Sequence, residues 1–125
     1  MSNEDINFRI LLRSPKYPVI IVTEEGLYSA YNIKQLGTLC VFSEPIDDNF
    51  EVIVVDSSGA EFKYFAEHTA IMPGILNKKW TKKQIIELYN NSVEAKESNT
   101  EYPMKPISSK KVSRIIGEIC DLLKS

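Results

Sequence analysis

A chain of 125 residues with 43% apolar and 26% charged side chains has room for one core and the composition of a folded globule, which excludes disordered and fibrous classes, and the lack of a 20–50-residue repeat excludes solenoids. A net charge of −2 argues against a dedicated nucleic-acid binder, which carries a basic excess. The polar start Met1-Ser2-Asn3-Glu4-Asp5 lacks the pattern of an export signal, and the longest apolar run, Pro18 to Val22, is far too short to span a bilayer, so a soluble, cytoplasmic protein is expected.

In chain order, Ile6, Phe8, Ile10 and Leu12 alternate with other residues and predict a first strand over about 6–13. The prolines of Ser14-Pro15-Lys16-Tyr17-Pro18 end it. Val19 to Thr23 is a β-branched run that reads as a second strand paired with the first and closed by Thr23-Glu24-Glu25-Gly26. Leu27 to Leu36 reads as weakly helical, Leu39 to Phe42 as a short strand, and Ser43 to Asn49 as an acidic loop.

Phe50–Val55 and Glu61–Phe65 form a hairpin in this reading, joined by Asp56-Ser57-Ser58-Gly59, with glycine supplying the positive φ of a tight return. Residues 67–80 read as a connection. Thr81, with Gln84 three positions on, has the form of a capping box for a helix stopped at Asn90-Asn91-Ser92. Residues 93–106 are polar and aperiodic, the signature of a surface loop. From Ser108 or Ser109 a last helix carries an apolar stripe of Val112, Ile115, Ile116, Ile119, Cys120, Leu122 and Leu123. Strands first and helices last predict a single α+β domain over 1–125, a four- or five-stranded, mostly antiparallel sheet packed against C-terminal helices.

Chemistry-bearing motifs are sparse. His68 is the only histidine, so any acid/base or triad chemistry would have to use it, and the residues around it lack a nucleophile motif. Two cysteines, Cys40 and Cys120, are too few for a disulfide framework and read as buried thiols. The five glycines do not cluster into a phosphate loop, and Asp47-Asp48 with Glu51 lacks the spacing of a calcium loop, so no metal and no cofactor is expected. Trp80 among Lys78, Lys79, Lys82 and Lys83 suits a hydrophobic staple, or else single-stranded nucleic acid or an acidic partner.

Charge is uneven: residues 1–72 carry five basic and eleven acidic side chains, and residues 73–125 ten and six. An acidic N-terminal part suits a cationic protein partner, with Asp47, Asp48, Glu51, Glu61 and Trp80 as the candidate partner-binding residues.

The strand Val52-Ile53-Val54-Val55, the turn Asp56-Ser57-Ser58-Gly59, the strand Glu61-Phe62-Lys63-Tyr64 and the Trp80-Thr81 helix entry together resemble small bacterial immunity proteins, especially those paired with contact-dependent growth-inhibition toxins. The resemblance covers about a third of the chain. It implies a cytoplasmic, non-enzymatic protein that binds and neutralises one toxin, often a basic nuclease. A phage or mobile-element regulatory protein that binds another host protein is the alternative, and a small enzyme using His68 is the third.

Overall fold

The computed structural model describes residues 7–45, 50–74, 78–105 and 107–124. Strands β1 (Arg9–Ile10), β2 (Val19–Val22), β3 (Leu27–Ala30), β4 (Ile53–Val55), β5 (Glu61–Phe65) and β6 (Ala70–Pro73) form one sheet in the order β1-β6-β5-β4-β2-β3. Helix α1 (Ile33–Phe42) covers one face, and α2 (Lys82–Asn90), α3 (Val93–Ser98) and α4 (Val112–Lys124) cover part of the other. The class is α+β as expected. The sheet has six strands rather than four or five, and it is mixed, because β1 runs parallel to β6 while every other pairing is antiparallel.

The period of two along each strand divides the core. Ile20 and Val55 face α2 and α4, whereas Val19, Ile21, Val54, Phe62 and Ile71 face α1. Each fully buried aliphatic or aromatic side chain contributes about 1.5–3 kcal/mol, so both faces carry substantial stabilisation.

Several expectations are corrected. The first strand shrinks from 6–13 to Arg9–Ile10, and it does not pair with the second. Its amides bond instead to the sixth: Arg9 N–H donates to Thr69 O at 3.0 Å and Leu11 N–H to Ile71 O at 2.9 Å. The segment after it crosses the sheet, with the Arg13 guanidinium 5.5 Å from the centre of the Phe62 ring and Lys16 N–H donating to the Asp56 carboxylate at 2.9 Å. The stretch expected to be weakly helical splits into β3 and the start of α1, divided at Asn32, whose side chain caps α1 by accepting from Gln35 N–H. The short strand expected at Leu39–Phe42 is the end of α1, since Leu36 and Cys40, four apart, bury one helical face.

Within the expected connection 67–80 lies β6. A three-residue 3₁₀ turn, Ala66–His68, and Thr69 in the left-handed conformation (φ 48°) reverse the chain so that Ala70-Ile71-Met72 returns along β5. The start of the expected loop at 93–106 is α3, capped by Ser92, and Tyr102 further along is only 4% exposed. Its backbone exchanges two hydrogen bonds with the Asn90 side chain, at 2.7 and 3.0 Å. The last helix begins at Val112, after a 3₁₀ turn at Ile107–Ser109.

Two readings hold, the hairpin with its first arm shortened from Phe50–Val55 to Ile53–Val55. Thr81 and Gln84 form the reciprocal capping box of α2. The hairpin β4–β5 forms around Asp56, whose carboxylate, 2% exposed at the residue, accepts from the amides of Lys16, Ser58 and Ala60 and from the Ser58 hydroxyl. Gly59 sits at φ 85°, and its carbonyl accepts Trp80 N–H at 2.8 Å.

Candidate functional site

At the end of the β4–β5 hairpin away from its turn, the chain leaving α1, the chain entering β4 and the 3₁₀ turn after β5 enclose a cleft of about 710 Å³. Its walls are aromatic, Phe50, Tyr64 and Phe65, and three carboxylates line it, Glu44, Glu51 and Glu67. The aromatic side is held from beneath. Phe8 stacks on Tyr64 with ring centroids 6.2 Å apart and planes at 23°, and Phe8 in turn lies against Gly37, where an added Cβ would come within 2.9 Å of its ring. Gly37 is therefore the close approach that seats Phe8 and, through it, the cleft floor.

Among the described residues, the carboxylates are only partly engaged. Glu44 accepts a hydrogen bond of 2.8 Å from the Tyr64 hydroxyl. Burial, with this bond and the Glu44 charge, pushes the Tyr64 phenol up, so it stays a protonated donor. Glu51 pairs with Lys63 at 3.4 Å, both side chains being well exposed, a contact worth at most about 1 kcal/mol. His68 lies at the lip, exposed, with its carbonyl accepting from the Arg9 guanidinium at 3.2 Å.

Glu61 and Trp80, the two other described candidates, come together elsewhere. Trp80 Nε1 donates to Glu61 Oε1 at 2.9 Å, and Lys78 Nζ lies 3.8 Å from the same oxygen and 5.2 Å from the centre of the indole. The indole also packs on the helical side of the core, so this trio ties the entry to α2 onto β5. Glu61 and Glu51 both line a smaller cavity of about 520 Å³, with Lys63, Phe65, Met72 and Lys78. Asp47 and Asp48 lie outside the described residues; Pro45 and Phe50, which flank that stretch in sequence, both line the acidic cleft.

Glu44, Glu67 and Tyr64 were not among the sequence candidates. Glu44 was legible as part of an acidic loop, but only the return of β5 beside that loop brings Glu67 and Tyr64 to it. Cys40 and Cys120 are both buried, on opposite faces of the sheet. Burial first, and the nearby carboxylates of Glu44 and Asp121 second, push the two thiols up to about 12, which leaves them without thiolate character at neutral pH. Among the described residues, no group of three or more His, Cys, Asp or Glu side chains is arranged to hold a metal ion, and no helix is long and apolar enough to cross a membrane.

No protein-family model matches the chain, and neither a curated protein nor a solved structure matches it significantly. Carboxylates beside an aromatic wall suit a cationic side chain, since the ring faces attract the charge and the oxygens accept its hydrogen bonds.

Proposed function

We propose that the protein is a non-enzymatic binding module that neutralises a cationic protein, in the manner of a small immunity protein paired with a basic, nuclease-type toxin domain. The observation that carries this reading is the acidic, aromatic-walled cleft. A lysine or arginine entering it would lay its stem on Phe50 and Phe65 and meet Glu44, Glu51 and Glu67 with its head. One cation–π contact contributes about 0.5–2 kcal/mol, and a hydrogen bond to a charged group about 1.5–3 kcal/mol, so one or two inserted side chains would anchor an interface. Phe42, 75% exposed in the last turn of α1 and two residues before Glu44, offers an apolar contact close by in the chain.

The test is affinity capture from the native source with two baits, the unaltered protein and a variant carrying Glu44→Gln, Glu51→Gln and Glu67→Gln. The reading expects one strongly basic protein at near-stoichiometric yield on the first bait and its loss from the second. Its identity separates a toxin from another host protein. Equal capture by both baits would remove the cleft from the interface.

A further inference from the structure

A second cavity, lined by cations where the cleft is lined by carboxylates, lies at the β3 edge of the sheet. It measures about 480 Å³, opens to solvent, and is bordered by the outer strand β3, the first turns of α1 and the last residues of α4. That volume falls in the range of small-molecule sites, about 300–1,000 Å³. Its apolar lining comes from the rings of Tyr28 and Tyr31 and from Leu39 and Leu123. Its polar lining is dominated by donors. Lys34 and Lys124 enter from two different helices, and Thr38 adds a hydroxyl. The Gln35 side-chain oxygen already accepts Tyr31 N–H at 2.7 Å, which leaves its NH₂ group as the part available to a ligand.

Among the described residues, neither Lys34 nor Lys124 has a carboxylate within 4 Å, whereas Lys63, Lys78 and Lys110 are each paired with a glutamate. The Lys124 ammonium lies 5.3 Å from the centre of the Tyr31 ring. The nearby carboxylate, Asp121, accepts from the Tyr31 hydroxyl at 2.8 Å and is not part of the lining. With burial first and that bond second holding the Tyr31 phenol up at about 12, the ring stays neutral across the physiological range. Two cations on a mainly apolar, tyrosine-walled cavity define a complementary ligand: a negative group for the lysines and a flat body for the rings.

We propose that this cavity binds a small aromatic anion, of the size of an aromatic carboxylate or a nucleoside monophosphate. The site is independent of the acidic cleft, since the two share no residue. The negative group sits between Lys34 and Lys124 with Thr38 as a further donor, and the planar body lies against Tyr28, Leu39 and Leu123.

The test is an NMR titration of the isotopically labelled full chain with 4-hydroxybenzoate, with AMP and with inorganic phosphate, repeated on the Lys34→Ala/Lys124→Ala variant. The proposal expects saturable shifts confined to residues 28–39 and 123–124 below about 1 mM for at least one aromatic probe, with phosphate alone at least about tenfold weaker. Which aromatic probe saturates identifies the ligand class. The double variant, whose unchanged melting temperature serves as the folding control, should bind at least about tenfold more weakly. Failure of both aromatic probes to saturate, equal binding by phosphate alone, or undiminished binding to the double variant would each overturn the proposal.

Discussion

One carboxylate on α4 and the group of carboxylates in the acidic cleft differ in what surrounds them. Glu118, on α4, accepts hydrogen bonds from the Tyr102 hydroxyl, from Lys110 Nζ at 2.9 Å and from Arg114 Nε at 3.2 Å. Those donors, Tyr102 first and Lys110 next, hold its carboxyl down to about 2. In the acidic cleft, among the described residues, Glu44 accepts from one tyrosine hydroxyl and Glu51 pairs with one exposed lysine. A carboxylate whose oxygens are filled by its own chain fastens the fold. Carboxylates gathered with oxygens to spare are available to a partner.

The sharpest way to break the comparison on the structural side is Tyr102→Ala. It removes a buried ring and a donor to Glu118 together, and chemical denaturation should show a loss of about 3–5 kcal/mol. A loss below about 1 kcal/mol would mean that the 99–110 segment is not fastened by this residue. Gly37→Ala comes next. The added methyl meets the Phe8 ring, so Phe8 must shift from Tyr64, and a loss of about 1–3 kcal/mol is expected. An unchanged midpoint would show that Phe8 moves freely and does not seat the cleft floor.

The pH response separates the two further. Because the folded-state pKa of Glu118 is depressed, its stabilisation is present above the ordinary glutamate value near 4.5 and is lost as the pH falls from there toward about 2. Glu118→Gln should therefore lower stability at neutral pH and flatten the melting curve's dependence on acid in that window. A variant that retains the full acid sensitivity would place its origin in other carboxylates. Smallest of all is the effect of Glu44→Gln, Glu51→Gln and Glu67→Gln on folding, within about 0.5 kcal/mol per site, because these groups are exposed or singly bonded.

The contrast also explains what could be read from the residues. The β4–β5 hairpin, the capping box at Thr81 and Gln84, and the α4 stripe are local signals, and each holds in the fold except that Leu122, expected on the stripe, is exposed. The readings that failed depend on distant partners. Arg9–Ile10 pairs with a strand some sixty residues away, and β6 hides in a short apolar run after His68. Leu39 to Phe42 reads as β-prone in isolation, yet Leu36 and Cys40 place it on a helix buried against the sheet. Tyr102 sits in a polar stretch whose composition says loop, and its burial rests on Asn90 and Glu118. Of the candidate site, Glu51 was visible in sequence, whereas Glu44, Tyr64 and Glu67 meet it only through the return of β5.

The central claim is that the cleft receives cationic side chains, and calorimetric titration of the captured partner tests it most directly. The account predicts that the triple glutamine variant weakens binding by about 2–5 kcal/mol without a matching change in melting temperature, that the unaltered protein loses affinity as salt rises, and that His68→Ala binds normally. Affinity indifferent both to the three substitutions and to salt would contradict it.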